Sequence, residues 1–341
     1  MKAYILGTGR SGTTALYVLL QEIFSRHCRR RPHFFYEPFL RNVHFLDDRY
    51  ELMAARMNLQ ASISVAAMYQ HLQLPLFISD PAPFLTNSYL QAIFHPLDRR
   101  PDVLIKFIRA NGRFLLLRTI APQAKAIFII RNPADIVNSL RGRFSLFGTD
   151  FHDDDFPRFA AGLALIYGVN LPTNPAPSDV EKDLLFWYYM NRFALESFLT
   201  LPVGKRPLLL CHDELRFIPT SLVKKICDFL DVPFEADFVQ AAKTRVGPVS
   251  REFILAESEQ ELVRSYMEKY TQLLVRHGIT ALESPEEIFR RFRIVKDPSR
   301  CPKRFPGLHA RALEREYESL LARLESSSKA AKPGSHRRKN G

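Results

Sequence analysis

The chain has 341 residues, 46% apolar and 25% charged, enough to bury a sizeable core and too apolar to be disordered throughout. Its net charge of +12 and pI of about 9.6 favour a phosphorylated cofactor, an acidic polymer or an anionic surface as partner. It contains no RRM, KH or zinc-finger pattern and no apolar run long enough to span a bilayer, so no nucleic-acid partner and no integral membrane segment are expected.

Short apolar runs alternate with longer helical patterns. Residues 3–6 ("AYIL") read as the first strand directly after Lys2, so no secretory leader is expected. A glycine-rich turn follows, then a helix from Thr13 to about Arg26. Its end, "SRHCRRRPH", reads as a solvated helix C-terminus, with attraction of an acidic acceptor as the other reading. Residues 33–37 ("HFFYE"), 103–108 ("VLIKFI"), 126–131 ("AIFIIR") and 207–211 ("PLLLC") read as further strands. Being apolar without alternation, they suit a parallel sheet covered by helices on both faces. The stretches near 48–97 and 144–200 are too long for loops and read as helical inserts around a cleft. In the second, "HDDD" (152–155) reads as a charge cluster at a helix start, and Trp187 with its aromatic neighbours as core. The last third is mainly helical in pattern. Residues 1–325 are expected to form a single domain, and the basic stretch 326–341 a disordered tail. Cys28, Cys211, Cys227 and Cys301 form no C-x-x-C pair and have no zinc-spaced histidines, so reduced thiols in the cytoplasm are expected.

The first turn fits two phosphate motifs imperfectly. Gly7-x-Gly9-x-x-Gly12 fits the dinucleotide fingerprint, with Glu37 where that fold places its ribose-binding acid. Gly7-x4-Gly12-Thr13-Thr14 fits the Walker A loop, except that Thr13 stands where Lys is required. A helix N-terminus after glycines offers free N–H groups and a partial positive charge. Ser11, Thr13 and Thr14 add hydroxyls and Arg10 a fixed cation, which suits a terminal anion of several oxygens. A kinase-like enzyme, an NAD(P)-binding oxidoreductase and a non-catalytic nucleotide binder all remain open on this loop alone.

The second cluster is "IIRNPADIVNSL". Arg131 ends a buried strand at the carboxyl edge of the sheet, where open α/β folds bind ligands. Asn132 suits a helix cap, Pro133 the first turn and Asp135 the helix dipole. Ser139 lies two turns along. Lys106 interrupts an otherwise apolar strand and needs either an anion or an exposed strand end.

Together, "GRSGTT" and "IIRNPADIVNS" resemble the two cofactor motifs of the sulfotransferases that use 3′-phosphoadenosine-5′-phosphosulfate (PAPS). "YEPF", "VLIKFIRANGRFLLL" and "LLLCHDELRFIPTSLVKKICDFLDVPFE" resemble further family segments, so that the likeness runs from Lys2 to Phe238. Gly9 departs from the usual Pro before Arg10, and no glycine-rich phosphate loop is present near the C-terminus. The resemblance implies an α/β fold, a parallel sheet flanked by helices of the P-loop-like sulfotransferase type, with helical insertions. It implies PAPS as co-substrate, held by Gly9, Arg10, Ser11, Gly12, Thr13 and Thr14 at the phosphosulfate and by Arg131 and Ser139 at the 3′-phosphate. The acceptor is expected to be a small-molecule or glycan hydroxyl. Arg10 is placed to stabilise the leaving oxygen, and Lys106 is a sulfate or substrate contact if not a strand-end lysine. Glu37, at the end of a second strand expected to lie beside the first and close to the loop, is the candidate base, with a ribose contact or support of Arg10 as its other readings. No metal ligand is expected.

Overall fold

The computed structural model describes residues 1–36, 75–87, 100–140, 155–172, 176–245 and 253–297. Glu37, most of the 48–97 stretch, residues 152–154, Cys301 and the 326–341 tail lie outside the described residues.

The predicted apolar runs form one parallel sheet of β1 (Lys2–Leu6), β2 (His33–Tyr36), β3 (Val103–Phe107), β4 (Lys125–Ile130) and β5 (Leu208–Cys211), in the order β2-β3-β1-β4-β5. This order corrects one expectation: strand 2 does not lie beside strand 1. β3 stands between them, with Lys106 level with Tyr36 on one side and Ile5 on the other. Burial explains the choice. All five residues of β3 are buried, which needs a neighbour on each edge and cover on both faces. The shorter β2, with His33 and Phe34 only half-buried, takes the edge. The order also differs from the 3-2-1-4-5 core of dinucleotide-binding sheets, so the topology does not support the dinucleotide reading of Gly7, Gly9, Gly12 and Glu37.

Successive strand residues point to opposite faces, and each face has its own helices. On one side α1 (Thr13–His27) buries Leu16, Leu20 and Ile23 against Ala3, Ile5 and Leu104. On the other side Tyr4, Leu6, Ile105 and Phe128 lie under α2 (Phe114–Ile120), α3 (Pro133–Leu140), α4 (Asp155–Tyr167) and α5 (Asp179–Leu199). Phe198 of α5 meets Phe114 and Phe128 edge-on at centroid distances of 4.5 and 5.2 Å. Trp187 is fully buried, as a core residue should be. After β5, the short α6 (His212–Phe217) leads into α7 (Pro219–Leu230) and α8 (Ala236–Arg245). The apolar stripe of α7, Leu222, Val223 and Ile226, joins α1 on its face.

The last third is not wholly helical. β6 (Phe253–Ala256), α9 (Glu257–Arg276), α10 (Pro285–Phe289) and β7 (Phe292–Val295) build a small two-stranded parallel sheet. Each strand is only four residues long, "FILA" and "FRIV", too short to set a period against the helical pattern beside it.

Candidate active site

The carboxyl end of β1 runs into Gly7, where a side chain has no room. A Cβ there would lie 2.7 Å from Thr13 Cγ2 and 2.8 Å from the Ile129 carbonyl oxygen. The chain then turns at Gly9 and Arg10, closed by the Ser11 N–H donating to the Thr8 carbonyl at 3.2 Å. Arg10 is left-handed, with φ +69°. That conformation costs an L-residue roughly 1–2 kcal/mol and is tolerated chiefly where function demands it. Gly12 also has positive φ, +90°, and a Cβ on it would run into the His212 ring. Ser11 is fully buried and its hydroxyl lies 2.8 Å from that of Thr8, so it holds the turn. Thr13 is buried as well, whereas Thr14 is half-buried. Among the described residues no side chain caps α1, and its first turn holds no acid. A helix start of this kind carries a partial positive charge and N–H groups that can meet an anion.

The second cluster folds against this loop. Asn132 caps α3 by accepting from the Asp135 N–H at 2.8 Å. Asp135 does more than complement the dipole: its Oδ2 accepts from Arg131 Nη2 at 3.1 Å and from Asn132 Nδ2 at 3.2 Å. Arg131 Nη1 donates to the Arg10 carbonyl at 3.2 Å, and Arg10 Nε donates to Ser139 Oγ at 2.9 Å. Arg10, Arg131 and Ser139, predicted from two separate motifs, are thus brought together at one helix N-terminus. Ser139 accepts from Arg10, which leaves its own O–H to donate. Trp187 braces the cluster from below, its Nε1 donating to the Arg131 carbonyl at 3.1 Å.

Lys106 is 2% exposed, which corrects the reading of a strand-end lysine reaching solvent. It shares a face with Leu104, on the side that α1 covers. Glu37 follows Tyr36 in sequence and lies outside the described residues. Arg29, Arg30 and Arg31 are exposed beyond the far end of the 15-residue α1, about 20 Å of helix away from the loop. They do not join the site.

The sequence reading missed His212 and Asp213, at the start of α6 on the carboxyl edge of β5. His212 packs against Gly12, and its buried Nδ1 has no hydrogen-bond partner among the described residues. Burial, then the nearby guanidinium groups of Arg131, Arg216 and Arg291, hold its pKa well below the usual histidine range, so the ring is neutral. Burial pushes the Asp213 carboxyl up to about 6, with Glu283 and Asp135 adding to the rise. The available signal was "CHDEL", polar residues directly after a buried strand at the ligand-binding edge of the sheet. Among the described residues no group of three or more His, Cys, Asp or Glu side chains is arranged to hold a metal ion. No helix among them is long and apolar enough to cross a membrane.

The model of the sulfotransferase family matches residues 3–169, a stretch that includes the loop, Lys106, Arg131 and Ser139. No curated protein matches the sequence. Solved structures similar to this one include a sulfotransferase from Mycobacterium avium, at 14% identity over 82% of this chain and 77% of that one, TM-score 0.43. A sulfotransferase from Alicyclobacillus acidocaldarius is similar at 13% identity over 82% and 96%, TM-score 0.37. A mouse sulfotransferase complexed with PAP is similar at 14% identity over 80% and 83%, TM-score 0.36. Residues 3–169 of the chain are thus similar to the sulfotransferase family.

Proposed function

We propose that this protein transfers a sulfuryl group from PAPS to a hydroxyl acceptor, a small molecule or a glycan, in the cytoplasm. The observation that carries the reading is the convergence of Arg10, Arg131 and Ser139 at the uncapped N-terminus of α1. Such a site combines backbone N–H groups, fixed cations and hydroxyl donors, which suits the two anionic ends of a 3′-phosphorylated nucleotide. Arg131 and Ser139 hold the 3′-phosphate. Gly9, Arg10, Ser11, Gly12, Thr13 and Thr14 at the start of α1 hold the phosphosulfate, with the buried side chains of Ser11 and Thr13 also keeping the loop in shape. Cys28, Cys211 and Cys227 are free thiols, which fits a reducing compartment.

In the reaction the acceptor oxygen forms a bond to sulfur while the bond from sulfur to the bridging oxygen breaks. Negative charge grows on that bridging oxygen, and fixed cations and N–H donors aimed at it lower the barrier. Arg10 and Lys106 are the cations for this task. The acceptor proton passes to Glu37, the candidate base. The test is transfer from labelled PAPS to a panel of sugars, polysaccharides, phenols and lipids, with and without a chelator. Labelled product from at least one acceptor, undiminished by the chelator and lowered about 10²–10⁴-fold by Glu37→Gln, is expected. Phosphoryl transfer from ATP that needs Mg²⁺ would replace this reading with a kinase.

A further inference from the structure

Asp135 is a buried carboxylate whose two oxygens have different surroundings. Oδ2 carries the hydrogen bonds from Arg131 and Asn132. Oδ1 makes no hydrogen bond among the described residues, and the cation facing it is Arg291, with Nη2 at 3.6 Å. The same Nη2 donates to Glu283 Oε2 at 3.2 Å, and Arg216 stands 3.7 Å from that oxygen. Arg291 lies in the turn between α10 and β7, outside the residues that the family model matches. Glu283 is set beside α10, whose start is fixed by a reciprocal cap between Ser284 and Glu287.

We propose that Arg291 is a positioning residue for Arg131, acting through Asp135, so that the C-terminal β6–β7 unit sets the affinity for the nucleotide 3′-phosphate. The inference rests on the reading of Arg131 as the ligand of that phosphate. Its physical basis is competition for one carboxylate. A guanidinium and a carboxylate with no other partner close into a two-pronged pair. Arg131 Nε and Nη2 already share Oδ2, at 3.4 and 3.1 Å; a two-pronged pair that engaged Oδ1 as well would turn the guanidinium further toward α3 and draw Nη1 away from the loop. Arg291 holds Oδ1 back, Arg131 binds Asp135 through Oδ2 alone, and its Nη1 stays directed at the Arg10 carbonyl, on the loop side. A lysine at 291 keeps the charge between Asp135 and Glu283 but lacks the fork.

The test is calorimetry with adenosine 3′,5′-bisphosphate and adenosine 5′-monophosphate on wild type, Arg291→Gln and Arg291→Lys. Arg291→Gln is expected to weaken the bisphosphate by about 10-fold, the scale of coupling between residues in one ion-pair network. The monophosphate should bind within about 2-fold of wild type, because it presents nothing to Arg131. Arg291→Lys should fall between, and it decides the matter if Arg291→Gln does not fold. In an Arg131→Ala background, Arg291→Gln should have no further effect on the bisphosphate. Wild type that binds both nucleotides equally would end the reading of Arg131 and this inference with it. Wild type that discriminates while the Arg291 variants discriminate equally well, or weaken both nucleotides alike, would overturn the inference alone.

Discussion

Arg10 holds the least comfortable backbone conformation among the site residues, and that strain separates its structural from its chemical role. Glycine adopts φ +69° without cost, whereas alanine keeps the strain and loses the side chain. Arg10→Gly should therefore be more stable than Arg10→Ala by about 1 kcal/mol, while both lose sulfuryl transfer. Thermal unfolding of the two variants checks this, and equal stability would mean that the turn relaxes around any residue. Asp213 makes a second residue-scale prediction. Its folded pKa of about 6 lies above the unfolded carboxyl value, so the folded state binds the proton more tightly. The stability it contributes is present at low pH and is lost as pH rises from about 4 through 6, a term on the order of 3 kcal/mol at most. His212, whose folded pKa is depressed, acts in the opposite sense and withdraws stability as pH falls below about 6.5. Asp213→Asn isolates the first effect: its Tm advantage over wild type should grow between pH 4 and 7. A difference independent of pH would contradict the assignment.

At the scale of elements, α5 links the core to the site through one bond. Trp187 is fully buried, lies tilted against Tyr270 at 6.0 Å between centroids, and donates to the carbonyl of Arg131 in the second motif. Trp187→Phe keeps an aromatic ring but leaves that carbonyl without this donor, a change of about 1–3 kcal/mol. The variant should unfold at lower temperature and bind the bisphosphate more weakly, read by calorimetry. Unchanged nucleotide affinity would make the bond purely structural. The elements themselves were largely legible. "AYIL", "VLIKF" and "AIFII" are buried on both faces and carry no alternation to confuse them with surface strands. Arg131 and Ser139 were singled out through the resemblance to the family's second motif, and both lie on one short strand–helix unit, which keeps them near each other in the fold. The position of β2 was not legible, because the chain between it and β3 is long and burial, not sequence adjacency, decides which strand takes the edge. His212, Asp213 and Arg291 were hidden for a related cause. Their roles depend on elements that meet only in the folded chain, α6 against Gly12 and the α10–β7 turn against Asp135.

At the scale of the whole molecule, the sheet order brings three strand ends to one edge: β1 with the loop, β3 with Lys106 and β4 with Arg131. The helices on the two faces have separate duties. α1 presents its N-terminus at this edge, while α3 and α5 fix Arg131 from the opposite side. The β6–β7 unit closes the arrangement through Arg291. We propose this edge as the seat of a nucleotide carrying a 3′-phosphate. The most direct measurement is titration calorimetry of wild type and Arg131→Ala with adenosine 3′,5′-bisphosphate and adenosine 5′-monophosphate. A charge-assisted contact contributes about 1.5–3 kcal/mol, so Arg131→Ala should weaken the bisphosphate by about 10- to 150-fold and leave the monophosphate nearly unchanged. Equal affinity of the wild type for the two nucleotides would contradict the account.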